Sequence, residues 1–207
     1  MLQLQALALR RRVLEKAHPH TAESPLNLGQ MLKASGKFDR ALDAEVKALR
    51  QLRQLFGEKH PARLLAMCNV AVTYYWQKKY VGAEEPQMRV LQLRTEVLGE
   101  HHPNTTASLF CLAETRYALG RYAEAEQAQT KALELRENIP GPFHRNTVVA
   151  LYSLAFTWHK QGKFLKSERL LKEAARLFRS SSGTQDPTRS LPRMGSSACA
   201  LSSTIGL

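Results

Sequence analysis

Three cysteines, at 68, 111 and 199, form no C-x-x-C pair and leave an odd thiol. That excludes a disulfide framework and a thiolate zinc site, and the chain reads as one from a reducing, cytoplasmic compartment. Long apolar runs are also missing. Nothing approaches the roughly 18 residues of a membrane span, and Leu7 to Leu9 precede Arg10 to Arg12, the reverse of a secretory signal. No membrane insertion is expected. There is no Gly-rich phosphate loop, no G-x-S-x-G turn and no paired-carboxylate constellation, so the sequence predicts no catalytic residue, no cofactor and no small-molecule substrate. Acid is scarce too. Eighteen Asp and Glu against thirty Lys and Arg leave +12, which makes nucleic acid or an anionic membrane surface the first partners to test by position.

What the sequence does have is a period of 42. His18, His60, His102 and His144 stand at that step, and the first three are each followed by proline (Pro19, Pro61, Pro103). Gly36, Gly120 and Gly162 keep the same step, as do the aromatics Phe38, Tyr80, Tyr122 and Phe164 and the small residues Ala41, Ala83, Ala125 and Ser167. So do Leu28, Val70, Leu112 and Leu154, each followed by Gly or Ala, and Ala48, Val90, Ala132 and Ala174.

Each unit reads as two helices. The first opens at the His-Pro step, because proline suits a first turn whose N–H has no partner anyway. It ends at the glycine, where a left-handed C-cap is easiest. The second runs through strong helix formers such as residues 125–135. Small residues at fixed points allow the two backbones to cross closely. The expected divisions are 18–59, 60–101, 102–143 and 144–179. Residues 1–17 match the end of a second helix (Ala6-Leu7-x-Leu9-Arg10 against Val90-Leu91-x-Leu93-Arg94), so the chain is expected to enter a truncated repeat mid-helix. An Arg-rich mitochondrial presequence is the rival reading of those residues. Residues 180–207, with eight Ser, have the composition of a disordered tail.

The run from His102 to Glu126, with its His-Pro, Leu-x-x-Leu-Ala and Gly-x-Tyr-x-Glu-Ala-Glu elements, resembles the tetratricopeptide repeat, and within it the 42-residue subtype of kinesin light chains. The resemblance covers residues 6 to about 179. It implies an all-α, right-handed superhelical solenoid of helix-turn-helix repeats. Its implied role is that of a non-enzymatic adaptor or scaffold holding an extended peptide or a partner surface in a concave groove lined by the first helices. Armadillo and HEAT arrays have similar periods but lack the Gly-aromatic-x-x-small punctuation. This chain departs from the pattern at Lys78, which replaces the inter-helix Gly, and at Pro86, two turns into a second helix. An interior proline can cost about 3 kcal/mol, so the second repeat is expected to be the least regular.

The resemblance places Asn27, Asn69, Cys111 and Ser153 at the position where kinesin light chains carry an asparagine that grips a peptide backbone; an amide can donate to and accept from one peptide bond at once. Beside them it puts Lys33, Tyr75, Trp76, Glu114, Tyr117, Tyr152 and His159 as peptide-binding candidates, with aromatics of polar tip as anchors. Phe110 and Phe156 either join them or fill space between first helices. Leu26 and Gln30 do not fit a carboxylate clamp. The repeated histidines read as punctuation. No metal site is expected, since His101-His102 has no carboxylate or thiol partner at ligand spacing.

Placed along the chain, half of the +12 lies in the fourth repeat, which carries +6, whereas the second and third carry +1 and −1. Lys160, Lys163, Lys166, Arg169, Lys172 and Arg176 fall at spacings of three or four, a basic strip along one helix and its turn. It reads as a solvated end cap or as a docking strip for an acidic surface. Binding of nucleic acid or anionic lipid through this strip is the alternative function, although no interleaved aromatics suggest base stacking.

Overall fold

Helix starts in this chain are set by the His-Pro steps. At two of them proline occupies the first helical turn, and the preceding histidine caps the helix: His60 Nδ1 accepts from the Ala62 N–H at 3.2 Å and His102 Nδ1 from the Asn104 N–H at 3.1 Å. The periodic histidine therefore satisfies a backbone donor that the helix itself leaves unpaired. The computed structural model describes residues 19–138 and 145–181. Expectations for 1–17, for His18 and His144 and for the tail beyond 181 lie outside them.

Among the described residues there are eight helices and no strand: α1 (Pro19–Ala34), α2 (Phe38–Phe56), α3 (Pro61–Trp76), α4 (Tyr80–Leu98), α5 (Pro103–Ala118), α6 (Tyr122–Asn138), α7 (Arg145–Lys160) and α8 (Phe164–Ser181). The chain divides into two units, Met1–Leu93 and Arg94–Leu207. In the first, α1 packs on α2 and α2 on α3, and the first helices α1 and α3 also touch. Leu26, Ala48, Leu52 and Ala66 form its buried cluster, with Leu49, Leu55 and Phe56 packed against it. In the second, α5 packs on α6, α6 on α7 and α7 on α8, and α5 touches α7. Its core joins Phe110, Ala132, Val149 and Ala150 to Val148, Leu151, Ala174 and Leu177, with Leu133 packed against both groups. Alanines 41, 48, 83, 125, 132 and 174 of the periodic small positions are wholly buried, as close helix crossing requires.

Every first helix ends in the same way. The N–H of Gly36 bonds to the Lys33 carbonyl and that of Lys37 to the Leu32 carbonyl. The same pair of bonds recurs at Lys78 and Lys79, at Gly120 and Arg121, and at Gly162 and Lys163. These are Schellman caps, and the first residue of each pair has positive φ: 72°, 60°, 78° and 76°. Lys78 thus adopts the left-handed conformation that glycine takes in the other turns. Nor does Pro86 interrupt its helix, since α4 runs continuously from Tyr80 to Leu98. The carbonyl that the missing N–H leaves unpaired belongs to Gly82, which is exposed and reachable by water. The second helix of this repeat is therefore not broken at its proline.

Candidate functional site

In the first unit, the first helices carry candidates of three kinds. Asn27 on α1 is exposed, whereas Asn69 on α3 is fully buried, with no hydrogen-bond partner for either amide atom among the described residues. Lys33 is turned inward, with its Nζ 2.9 Å from Oε1 of Glu45, a carboxylate with no exposure at all. The other Glu45 oxygen accepts from the Thr73 hydroxyl at 2.6 Å. Gly29 makes room for this group, since a Cβ there would stand 2.7 Å from Glu45 Cγ. Tyr75 and Trp76, at the end of α3, are half-buried. The Trp76 ring lies parallel to Phe38 at 6.4 Å, and Tyr75 meets Trp76 and Tyr80 edge-on at 6.3 and 5.3 Å.

In the second unit, Cys111 and Ser153 are buried where an amide was sought, and Glu114 is buried one turn before Tyr117. Tyr117 is half-buried and edge-on to Tyr122 at 5.5 Å. Burial pushes its phenol pKa up, and Tyr122 and Glu114 add to the shift. Tyr152 on α7 is also half-buried and its phenol is likewise raised by burial, against the opposing charge of Arg179. Both hydroxyls thus remain neutral donors. His159 is exposed, with its ring edge-on to Phe164 at 5.1 Å. The two phenylalanines part company: Phe110 is core and Phe156 is exposed.

The six basic-strip residues are all exposed, but they do not act alike. Lys163 Nζ lies 2.8 Å from Glu126 Oε2, and Lys166 sits 5.9 Å from the centre of the Trp158 ring. The Trp158 indole also donates to Glu126, at 2.6 Å. Partial burial alone would raise the Glu126 carboxyl, yet hydrogen bonds from Lys163, Gln161 and Trp158 outweigh it and hold the pKa below its ordinary value. Arg169, Lys172 and Arg176 form the stripe on α8 itself, and there Lys172 pairs with Glu168 at 2.6 Å.

One device was not anticipated from the sequence. Thr73 bonds to Glu45 in the first unit and Thr157 to Gln129 Oε1 in the second, each at 2.6 Å and each across 28 residues. Its signal was present as Thr73, Thr115 and Thr157 and as Glu45, Gln87 and Gln129, all at the 42-residue step. Among the described residues no group of three or more His, Cys, Asp or Glu could hold a metal, and no helix is long and apolar enough to cross a membrane.

Helical hairpins with these caps, repeated at this period, define a helix-turn-helix repeat protein. Residues 21–62 and 63–104 match one family model described as tetratricopeptide repeat, and residues 105–180 match a second of the same description. The chain belongs to the tetratricopeptide-repeat family. Similar solved structures include a putative kinesin light chain of nearly identical TPR-like repeats from Podosopora anserina, at 20% identity and a TM-score of 0.75, covering 87% of this chain and 85% of that one. Another is BtubC (BKLC) from P. vanneervenii, at 20% identity and a TM-score of 0.78, covering 93% and 77%. A third is the apo form of RapI, at 17% identity and a TM-score of 0.73, covering 87% and 48%. No curated protein matches the chain. At these identities the structural likeness carries the fold alone.

Proposed function

We propose that the first helices hold an extended segment of a protein partner, so that the chain serves as a cytoplasmic adaptor or scaffold in the manner of kinesin light chains. The observation that carries this reading is the state of the tyrosines on α5 and α7. These two first helices touch, and Tyr117 and Tyr152 keep part of their surface open while their phenols stay protonated. The Tyr117 ring is held against Tyr122. A ring fixed by packing, with a neutral donor at its tip, is a low-entropy anchor for a peptide carbonyl. In the first unit, Tyr75 and Trp76 play the corresponding part, and Asn27 is the amide open to a peptide. Asn69 is an amide without a partner among the described residues, and a bound backbone could satisfy it only after local opening. Arg169, Lys172 and Arg176 support a secondary contact with an acidic surface of the same partner, one that weakens as salt rises.

A displayed library of extended peptides, selected on the full chain, tests the reading. Enriched peptides should lose binding to the Tyr117→Ala/Tyr152→Ala variant while its helical circular dichroism is unchanged. Absence of enrichment over an unrelated helical protein, or equal binding to the variant, overturns it.

A further inference from the structure

At the turn end of the first unit lies an open cleft of about 460 Å³ whose lining includes Lys37, Phe38, Asp39, Arg40, Gln77 and Lys79. Its charge is unbalanced. Lys37, Arg40 and Lys79 are exposed and make no ion pair among the described residues. The one acid, Asp39, is engaged by the Gln77 side-chain amide, which donates to its Oδ1 at 2.9 Å. Formal charge in the cleft is therefore +2. In the second unit, Arg116 pairs with Glu124 at 3.5 Å and Lys163 with Glu126 at 2.8 Å.

We propose that this cleft binds a phosphate monoester. Near neutral pH such a group carries between one and two negative charges, close to the local excess of +2, and offers three acceptor oxygens. Arg40 supplies the planar fork that can engage two of those oxygens at once, and Lys37 and Lys79 act as point charges. The α2 N-terminus opens on the same cleft with no side-chain cap, which adds a favourable dipole to the three cations. A phosphodiester, with a single charge, matches the cleft less well. The cleft shares no residue with the tyrosine anchors of α5 and α7, so its failure would leave the peptide reading intact.

Inorganic phosphate, a phosphoserine peptide and its unphosphorylated form should each be titrated against the full chain, followed by backbone amide NMR. Phosphate and phosphopeptide are expected to shift the amides of Phe38, Asp39 and Arg40 in a saturable way, and the unphosphorylated peptide is not. Tighter binding of the phosphopeptide than of phosphate assigns the group to a modified partner, and equal binding assigns it to a small free phosphate compound. Both results uphold the chemistry. Affinity should fall roughly tenfold or more in Lys37→Ala/Arg40→Ala/Lys79→Ala. It should also fall below about pH 6 as the monoester gains a proton, and stay unchanged in Arg50→Ala, an exposed residue at the far end of α2. Non-saturating shifts spread over surface lysines, or equal affinity in the triple variant, would overturn the proposal.

Discussion

The Thr73 hydroxyl donates to Glu45 Oε2 at 2.6 Å, joining α3 to the second helix of the preceding hairpin through a carboxylate with no solvent exposure. Thr157 makes the same bond to the neutral amide of Gln129. Hydrogen bonds to charged groups contribute more than neutral ones, and a buried acceptor stripped of its donor costs about 1–3 kcal/mol. Thr73→Val should therefore destabilise the protein more than Thr157→Val, as read from urea denaturation. Equal losses would mean that the charge on Glu45 adds nothing to this bond.

Lys33 and Glu45 form a matched exception within the repeat. Where later repeats carry Tyr75 with Gln87 and Tyr117 with Gln129, the first carries a cation with an acid, 2.9 Å apart. Removing one member of a buried pair costs about 3 kcal/mol or more because the other is left uncompensated. Lys33→Tyr should show a loss of that order, and Lys33→Tyr/Glu45→Gln should regain most of it. A double variant as unstable as the sum of the two singles would show that the pair is not coupled. Gly29 belongs to the same group, since the step that gives Ala71, Ala113 and Ala155 gives glycine only here. A methyl group 2.7 Å from Glu45 Cγ should cost about 1–3 kcal/mol in Gly29→Ala.

Lys78 holds φ of 60° in a cap that three other hairpins make with glycine. The left-handed conformation costs an L-residue about 1 kcal/mol, and nothing lies within 4 Å of the equivalent position at Gly120, so the penalty there is conformational rather than steric. Lys78→Gly should stabilise the protein by about that amount, and Gly120→Lys should reverse the sign. Thermal and urea midpoints that move the other way would place the strain elsewhere.

The period made the hairpins legible because each repeated residue answers a local backbone need. Histidine and proline start the first helix, a left-handed residue ends it, and alanine allows the crossing. Local chemistry of this kind is visible in one chain. The Lys33–Glu45–Thr73 group was not, because it depends on which side chains meet across 28 residues. Lys33 was accordingly expected at a peptide rather than at an internal carboxylate. Pro86 leaves its helix unbroken, and Gly82, whose carbonyl it deprives of a donor, is an exposed residue. Position and residue type nominated the candidate site residues. Burial then separated Asn27 from Asn69 and Phe156 from Phe110, a distinction that periodicity does not carry.

Glu126 gathers the Trp158 indole at 2.6 Å and the Lys163 ammonium at 2.8 Å, which makes the fourth hairpin sensitive to acid. Burial opposes ionisation of this carboxyl, but the hydrogen bonds prevail and its folded pKa lies below the ordinary value of 4.5. A carboxyl depressed on folding contributes stability that is fully present above the unfolded pKa and is lost as pH falls through the folded one. The contribution should therefore persist at neutral pH and disappear only below about pH 4.5. Protonation also weakens the acceptor that the indole faces. In a Trp76→Phe background, where Trp158 is the sole tryptophan, fluorescence should change in this acid window, and Glu126→Gln should abolish the change. A transition of the same midpoint in Glu126→Gln would assign the acid response to another carboxylate.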